Sequence, residues 1–485
     1  MKKKRYLYRT CLLLMTALAA CSESYFDRYP DDQFTEGVFY NSEQDFIEAV
    51  NSIYSAQRGH YRRFYAIADV SSDDAYNYKG NNNLNATTIN ESTIFSDNVY
   101  IKDFWEAGYR VIARANIVLD RIERVNMDTG RKNQFVGEAR FLRAMTYFNL
   151  VRIFGDVPLV TSELRTASEA FNFGRENTTS VYTSIIQDLQ EAIHFLPDDY
   201  PTDIDQGRAT KVAAKTMLGK VYLTQKNYSA ALSILEEVIQ SPKAYLLDNY
   251  EDIFNPDNPN NAEIIFAVQY MRNIPGQGSG WGNDAAPNIP IGRVVVRGGG
   301  GGSFHITRDL YRAFENGDRR LTMVDSAHAT TGGRRFYWTK KYIDPEMLTA
   351  NSAANDWIVL RYADVLLMAA EALNELGRGI EAETYLNDVR NRAGLEDITN
   401  LSQVDMRAVI AQERRVELNC EGHRWFELLR SGNLKEIMNK HFTDYRDDDH
   451  EVGQNSVIED HELVFPLPKD QVDLNPSKLP QNKGY

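Results

Sequence analysis

Cysteine is scarce in this sequence of 485 residues, which contains Cys11, Cys21 and Cys420. Cys11 lies in a leader that we expect to be cleaved, and Cys21 is the residue at which we expect a covalent modification. The mature chain would then keep Cys420 as its one thiol, and one thiol cannot form an intramolecular disulfide. The stability of the fold therefore has to come from the packing of its core.

Positive charge is also under-represented, with 54 Lys and Arg residues against 68 Asp and Glu residues and a formal net charge of -14. Cleavage after residue 20 would remove five basic residues and no acidic residue, which moves the formal charge from -14 to -19. A surface of this sign repels phosphate backbones and anionic headgroups. The charge balance therefore argues against nucleic acid as a partner and leaves membrane attachment to a lipid.

Long apolar runs and catalytic motifs are missing as well. Beyond the leader, no uncharged apolar run approaches the roughly 20 residues that a membrane-spanning helix needs. The sequence has no His-Glu-x-x-His helix, no Gly-x-Ser-x-Gly elbow and no cysteine cluster. The glycine run 298–302 lacks the Lys-Ser/Thr ending of a phosphate loop, and the aspartate run 447–449 lacks the spacing of a calcium loop. We interpret these two runs as a flexible loop and a solvated acidic loop, and we expect no enzyme activity, cofactor or metal.

The N-terminus has the pattern of an export signal. Four basic residues at positions 2–5 precede an apolar stretch that ends in Leu18-Ala19-Ala20-Cys21. This ending resembles a bacterial lipobox, in which the cysteine thiol is acylated and becomes the new N-terminus. We therefore predict a signal peptide over residues 1–20 and lipidation of Cys21. An ordinary secretory signal is the alternative, but it does not require a cysteine at this position.

Apolar residues recur at helical spacing over most of the chain, which predicts an all-α body. The predicted helices cover residues 43–58, 105–126, 133–154, 178–196, 209–225, 228–241, 307–315, 359–376, 379–393, 402–419 and 421–430. Polar stretches rich in Gly and Asn interrupt them at 69–104 and 272–303, and a further irregular stretch covers 317–356.

An internal repeat of helix pairs is visible within this pattern. Residues 218–222 read Leu-Gly-Lys-Val-Tyr, which contains the Leu-Gly-x-x-Tyr core of a tetratricopeptide helix, and small and apolar residues follow at Ala231, Leu235 and Val238. A looser copy has Ala369, Ala370 and Leu373 in its first helix and Ala382, Leu386 and Val389 in its second. The segment 138–154 reads as a third first helix, with its partner at 178–196. Small residues allow two helices to approach closely, so the pattern predicts a scaffold of helix pairs.

Five segments, taken together and in order, resemble the SusD/RagB family of nutrient-binding outer-membrane lipoproteins. The first begins Glu-Ala-Arg-Phe-Leu-Arg-Ala at residue 138 and the last is the closing Gln-Asn-Lys-Gly-Tyr; the five lie at 138–160, 361–372, 387–394, 413–428 and 481–485. One departure is Glu427, where the family more often has Asp.

The resemblance implies a single domain over residues 21–485, built from a tetratricopeptide-like helix-pair scaffold and a loop-rich, partly β ligand-binding lobe. The scaffold would cover about 40–68, 105–271 and 357–440, and the lobe about 69–104 and 272–356. The implied function is to bind a nutrient, usually an oligosaccharide, at the cell surface and to deliver it to a SusC-like TonB-dependent transporter. The protein would be lipid-anchored in the outer membrane and face the exterior.

Sugar recognition needs aromatic faces for stacking and amides or carboxylates for the hydroxyls. The candidate ligand residues come from the segments 73–83 and 277–284 and from the region around position 338: Asp73, Tyr76, Tyr78, Asn81, Trp281, Asn283 and Trp338. Trp281 lies among glycines, so its ring either forms an exposed platform or plugs the base of its own loop. Trp338 lies among basic and aromatic residues. This segment either binds an anionic ligand such as a uronate or forms a solvated strand.

Two other functions stay open at this point. Helical-repeat scaffolds bind peptides in their grooves, so a peptide-binding or adaptor lipoprotein is one alternative. A surface glycoside hydrolase is the other, and it would need two carboxylates that flank a cleft. Many pairs could be proposed, Asp73 and Asp74 among them, but the sequence gives none of them the required separation. The dense charges of residues 413–427 could also suggest catalysis, but Arg and Glu at helical spacing form ion pairs that fix helix packing.

Overall fold

The computed structural model describes residues 39–200, 202, 205–287, 297–328, 335–445, 453 and 456–485. The predicted lipidation site Cys21 and the acidic run 447–449 lie outside these residues. We number the α-helices in chain order as α1 Glu43–Tyr61, α2 Leu84–Asn90, α3 Val99–Arg121, α4 Thr129–Phe154, α5 Ala167–Ala170, α6 Thr178–Phe195, α7 Lys211–Thr224, α8 Tyr228–Ile239, α9 Trp281–Ala285, α10 Arg308–Ala313, α11 Tyr362–Glu375, α12 Gly379–Arg392, α13 Gln403–Glu417, α14 Arg424–Ser431, α15 Leu434–Asp444 and α16 Lys469–Leu474.

Helix pairs form the scaffold, which confirms the predicted fold class. Helix α7 packs against α8, and α11 packs against α8, α12 and α13. The repeat residues of both copies lie in one buried cluster: Ala231, Leu235, Val238, Ala369, Ala370, Leu373, Ala382, Leu386 and Val389. At Gly219 of α7 a Cβ atom would come within 2.6 Å of Leu235. The glycine of the repeat therefore allows the two helices to approach this closely.

The long helix α4 lies at the centre of the N-terminal part of the scaffold. It packs against α6, α3 and α1, so the predicted third pair of 138–154 with 178–196 is present. Its buried residues point in all directions around the helix and include Phe135, Phe141 and Phe148. A helix that is apolar on every side has to lie inside the protein. Within the described ranges, no helix joins enough length with enough apolar character to cross a membrane.

The strands are short and assemble the two predicted insertions into one unit. They are β1 Ala75–Tyr76, β2 Val157–Pro158, β3 Arg175–Glu176, β4 Ile264–Val268, β5 His305–Ile306, β6 Val324–His328, β7 Arg335–Thr339 and β8 Trp357–Arg361. The antiparallel sheet has the order β1-β5-β7-β6, with Ala75 opposite Ile306 and Ile306 opposite Tyr337. Two-stranded sheets pair β2 with β3 and β4 with β8.

Several element boundaries differ from the sequence prediction. Helix α3 begins at Val99 instead of residue 105 because Asn98 caps it, its side chain accepting hydrogen bonds from the backbone N–H groups of Tyr100 and Ile101. Helix α2 lies inside the stretch 69–104, which its Asn content had marked as irregular, and here Asn83 caps the helix. Helix α15 was not predicted.

The charges of residues 413–427 form ion pairs, as predicted, but the buried pairs join distant parts of the sequence and not residues three or four apart on one helix. Arg361 bonds both Glu417, at 2.5 Å, and Glu421, at 2.7 Å, and all three side chains are buried. Lys341 reaches Glu421 at 2.7 Å and Arg320 reaches Glu417 at 3.0 Å. Since Arg320 and Lys341 belong to the region between β5 and β8, these pairs fasten that region to the scaffold.

Candidate functional site

The two insertions meet at a short glycine-containing backbone segment. Asn81 donates from Nδ2 to the carbonyl of Gly301 at 3.1 Å, and the N–H of Gly301 donates to the carbonyl of Asn283 at 2.6 Å. The N–H of Tyr78 donates to the carbonyl of Gly302 at 2.8 Å. Three of the predicted residues, which come from distant parts of the sequence, are therefore held together by one stretch of backbone.

The side chains of Asn81 and Asn283 bond this backbone, and they accept hydrogen bonds from the backbone N–H groups of Asn83 and Asn351. We name these four residues, together with Asn82 and residues 298–302, the asparagine face. Asn283 donates from Nδ2 to the carbonyl of Gly299 at 3.1 Å and accepts at Oδ1 from the N–H of Asn351 at 3.1 Å. Asn82 is exposed in a left-handed conformation with φ 55°, which asparagine adopts more readily than most residues. Asn283 is buried and Asn81 half-buried, and their amide N–H groups donate within the protein, whereas Asn82 and Asn351 are exposed.

An ion pair borders the asparagine face. Arg63, just after α1, bonds Asp284 at 2.8 Å, and its guanidinium carbon lies 5.1 Å from the centre of the Tyr100 ring. The Tyr100 hydroxyl accepts a hydrogen bond from Nδ2 of Asn83 at 2.7 Å. Burial lowers the pKa of Arg63, but the nearby Tyr65, Asp284 and Tyr100 outweigh burial and hold this pKa above its usual range. Arg63 is therefore a permanent positive charge beside the amides.

A cleft of about 200 Å³ opens next to this ion pair. Its walls come from the end of α1 and the first half of α3, and their polar members are His60, Arg62, Arg63, Tyr100, Asp103, Glu106 and Arg110. Both donors and acceptors are present here, as they are on the asparagine face. Such a surface can bind a ligand rich in hydroxyl groups, because a hydroxyl both donates and accepts.

The glycines of the asparagine face differ in their surroundings. A Cβ atom at Gly299 would meet no atom within 4 Å, so the backbone is open there, whereas at Gly300 a Cβ atom would lie 2.1 Å from the carbonyl oxygen of Pro287. Gly298 has φ +77°, a conformation that L side chains rarely adopt. The glycine run therefore serves the local backbone geometry.

Sequence models of two families match complementary parts of the chain. One, described as the SusD family, matches residues 324–485, and the other, described as "Starch-binding associating with outer membrane", matches residues 24–223. The chain belongs to the SusD/RagB family. A SusD-like protein of Formosa agariphila is 28% identical to it, with 98% of each chain covered.

Solved structures share the fold of this SusD-family chain. A laminarin-binding SusD-like protein is 29% identical, with a TM-score of 0.76 over 92% of this chain and 100% of that chain. Surface glycan-binding protein A from Bacteroides thetaiotaomicron, solved in complex with laminarihexaose, has a TM-score of 0.76 at 20% identity over 91% of this chain and 100% of that chain. At this lower identity the likeness concerns the fold alone.

Trp281 does not form an exposed platform, which corrects one of the two predictions for this residue. Its side chain is 2% exposed and lies at the first position of α9. Its ring contacts Tyr270 and Trp357 edge-on, with centroid distances of 4.7 and 5.1 Å. A ring buried this fully presents no face to a sugar. Trp281 instead plugs the base of its own loop, and Asn283 follows it on the same short helix.

Trp338 is also buried, at 3% exposure, so its ring cannot read an anionic ligand. Residues alternate between the two faces of a strand, and in β7 Phe336 and Trp338 point inward. Arg335 and Tyr337 are on the other face, where Tyr337 stacks on Tyr311 at 4.2 Å. The basic and aromatic residues of this segment are therefore divided between the core and the surface.

Asp73 and Tyr76 are likewise interior residues. Asp73 is 1% exposed and accepts hydrogen bonds from Arg424 at 2.8 and 2.9 Å. Burial raises the pKa of Asp73, but Arg415 and Arg424 outweigh burial and hold it well below its usual range. Tyr76 packs edge-on against His305 at 5.3 Å. Both residues support the lobe from within and are closed to a ligand.

Arg63, Tyr100 and Asp284 belong to the site but were not predicted from the sequence. Arg63 and Tyr100 lie next to predicted scaffold helices, where polar residues are ordinary. Arg63 and Asp284 are 221 positions apart in the sequence. No local sequence pattern predicts a contact between residues at that separation. The asparagines at 81–83 could be predicted as a polar cluster because they are consecutive in the sequence.

Proposed function

We propose that this SusD-family chain binds an oligosaccharide on the asparagine face and does not transform it chemically. The observation that carries the proposal is the convergence of Tyr78, Asn81 and Asn283 on the backbone of Gly301 and Gly302. These bonds form a fixed framework, and the exposed amides of Asn82 and Asn351 beside it would meet the hydroxyl groups of a sugar. The half-buried ring of Tyr78 would add an apolar contact beside them.

A β-glucan is the first ligand to test. The laminarin-binding relative is 29% identical over 92% of this chain, which supports a glycan of that class. The site itself is consistent with a neutral sugar, since Asp284 compensates the charge of Arg63. An uncompensated arginine would instead favour a uronate.

A binding role without hydrolysis is supported by the placement of Asp73 and Asp74, one of the carboxylate pairs considered above. Both are buried, and Arg415 bonds both of them at 2.9 and 2.6 Å. A glycosidase instead needs two carboxyl groups that flank the sugar in a cleft, one of which gives its proton to the leaving group. Burial raises the pKa of Asp74, the direction that a proton donor needs, but Arg415 holds Asp74 beside Asp73. Arg424 adds a second positive charge to Asp73 and opposes its protonation.

We further propose that Cys21 carries the lipid that holds the protein at the outer membrane, where it would deliver its ligand to a SusC-like TonB-dependent transporter. The family description of outer-membrane association supports this location. Replacing Cys21 with Ala should move the protein from the membrane fraction to the soluble fraction with its melting temperature unchanged. A variant that remained membrane-bound in high salt would place the anchor elsewhere.

Calorimetry with laminarihexaose and a panel of other oligosaccharides tests the binding proposal. The variant Asn82→Gly removes an exposed amide of the asparagine face while tolerating the positive φ, so we expect weaker binding in an unchanged fold. Asn400→Gly is the matched control, because Asn400 is an exposed scaffold asparagine with φ 59°. Equal affinities of the two variants would remove the asparagine face from the ligand site. Fragments of the ligand after long incubation would contradict the absence of turnover.

A further inference from the structure

The four-stranded sheet has a second side, which the asparagine face does not use. In β7, Phe336 and Trp338 point inward, and Tyr78 packs edge-on against Phe336 with a centroid distance of 5.3 Å. Because residues alternate between the two sides of a strand, Arg335 and Tyr337 lie on the opposite side. The sheet therefore lies between these two residues and Tyr78, whose N–H bonds the asparagine face.

Two tyrosine rings are stacked on this second side. The rings of Tyr311, in α10, and Tyr337 have a centroid distance of 4.2 Å and are inclined by 27°. The guanidinium carbon of Arg335 lies 6.0 Å from the centre of the Tyr337 ring. Both tyrosines are half-buried, whereas Arg335 is exposed. The stack therefore supports an arginine that reaches the solvent.

Helix α10 brings a further arginine to this stack. Tyr311 and Arg312 follow Arg308 by three and four positions, so the three side chains lie on one side of the helix. Arg308 packs over the ring of Tyr445 at 5.1 Å, and Arg312 is exposed. We name the following four residues the arginine–tyrosine surface: Tyr311, Arg312, Arg335 and Tyr337.

The donors of the arginine–tyrosine surface have no acceptor in the described part of the chain. Arg312 and Arg335 bond no carboxylate there, and the hydroxyl groups of Tyr311 and Tyr337 form no hydrogen bond there. A ligand can therefore bond them without breaking an existing ion pair, whose loss would cost free energy. The surface differs in this respect from scaffold arginines such as Arg430, which is paired with carboxylates.

The strand register keeps acidic side chains away from Arg335. Asp325 is the one acidic residue of β6, and it lies opposite Trp338, whose side chain is on the inner side of the sheet. His328 lies opposite Arg335 and carries no negative charge. Directly opposite residues of antiparallel strands share a side of the sheet. In the described residues of β6 and β7, the side with Arg335 therefore has no carboxylate.

The acidic residues on and just after α10 are already paired with other arginines. Asp309 bonds Arg415 at 2.9 Å, and Glu315 bonds Arg390 at 2.6 Å. Both of these arginines belong to the scaffold helices α12 and α13. The carboxylates of α10 are thus directed towards the scaffold, and they leave the charge of the arginine–tyrosine surface uncompensated.

We propose that the arginine–tyrosine surface binds the carboxylate of a uronic acid within an oligosaccharide. The planar guanidinium of Arg335 presents parallel donors that match the two oxygens of a carboxylate. The hydroxyl groups of Tyr311 and Tyr337 can bond the same sugar, since a hydroxyl both donates and accepts. This role is independent of the glycan site proposed above, because the two surfaces share no residue.

Calorimetry with tetragalacturonate at low salt tests the proposal on the full mature chain. The matched control ligand is its methyl ester, which keeps the sugar backbone and removes the carboxylate charges. We expect the ester to bind at least about tenfold more weakly, and the free acid to bind more weakly as salt is added. Equal binding of the ester, or no binding of the free acid, would overturn the proposal. Tighter binding of a sulfated galactose tetramer than of tetragalacturonate would replace the uronate by a sulfate ester.

Two exposed arginines provide matched variants. Arg335 belongs to the arginine–tyrosine surface, whereas Arg124 lies just after the far end of α3, and neither bonds a carboxylate within the described ranges. We expect Arg335→Ala to weaken tetragalacturonate binding about fivefold. Arg124→Ala removes the same charge and should change the affinity by less than about twofold. Equal effects of the two variants would reduce the interaction to the overall charge of the protein and would contradict the proposal.

Laminarihexaose separates this site from the asparagine face. Arg335→Ala should bind laminarihexaose as the parent chain does, and Asn82→Gly should keep its affinity for tetragalacturonate. If Asn82→Gly lost tetragalacturonate binding while Arg335→Ala kept it, the uronate would bind at the asparagine face and the proposal would fail. A parent chain that bound tetragalacturonate but no laminarihexaose would contradict the glycan site alone.

Discussion

Arg63 and Asp284 form an ion pair at 2.8 Å that joins the end of α1 to α9 beside the asparagine face. The pair covers one side of Tyr100, which in turn accepts a hydrogen bond from Asn83. One contact between scaffold and lobe therefore influences the amides that would meet a ligand. It also gives a direct way to perturb the site without removing an amide.

Replacing Arg63 with Ala should weaken laminarihexaose binding about threefold to tenfold, because Asp284 and Tyr100 lose the group that orients them. Since the pair is partly exposed, the free energy of unfolding should change by less than about 1 kcal/mol. Calorimetry and urea unfolding measure the two quantities, with Arg378→Ala as the scaffold control. An unchanged affinity in Arg63→Ala would mean that the ion pair has no role in the site.

Replacing Trp281 with Ala should mainly destabilise the protein. The buried ring contacts Tyr270, Tyr342 and Trp357, so the free energy of unfolding should fall by about 3–5 kcal/mol. Urea unfolding gives this loss, and Trp281→Phe, which keeps a ring in the core, should lose less. A Trp281→Ala protein of normal stability with impaired sugar binding would instead support an exposed ring.

Replacing Gly219 with Ala tests the close approach of α7 and α8. Alanine favours a helix by about 1 kcal/mol over glycine, but its Cβ would lie 2.8 Å from Cγ of Leu235 and force the helices apart. We expect a net loss of about 1 kcal/mol in the free energy of unfolding. The control is Gly379→Ala at the start of α12, where a Cβ would meet no atom within 4 Å, so stability should be kept or raised. Equal effects of the two changes would deny a packing role for Gly219.

Stability should depend on pH through His423. Burial first and Lys220 second lower the pKa of His423 to about 3, from its ordinary value of 6.5. The unfolded chain therefore binds one proton more than the folded chain between these values, so stability falls as the pH falls below 6.5. From about pH 7 to about pH 5 the contribution of His423 should be a loss of about 2 kcal/mol.

The variant His423→Asn cannot bind that proton, so its unfolding free energy should fall by about 2 kcal/mol less over the same pH range. Urea unfolding at the two pH values measures the difference. Burial also lowers the pKa of His60 to about 3. Because His60 is present in both proteins, its contribution to the pH dependence cancels in the comparison. Parallel pH profiles of the variant and the parent chain would show that His423 can be protonated in the fold.

Helical periodicity was enough to predict most of the scaffold. The helices α7, α8, α11 and α12 lie within a few residues of their predicted bounds, and the repeat residues are buried together. The exceptions are local. Asn83 and Asn98 read as loop residues, yet they cap α2 and α3, because asparagine serves both turns and helix N-termini.

The sequence by itself determined the helices of the repeat and the local run of amides at 81–83, since both depend on near neighbours in the chain. Only the tertiary structure decided which candidates can meet a ligand. It buried Trp281, Asn283 and Trp338, and it brought the side chain of Asn81 to the carbonyl of Gly301. The physical reason is that exposure and long-range pairing depend on how sheet and scaffold pack together. Arg63 meets Asp284 because of that packing, and no spacing in the sequence encodes their contact.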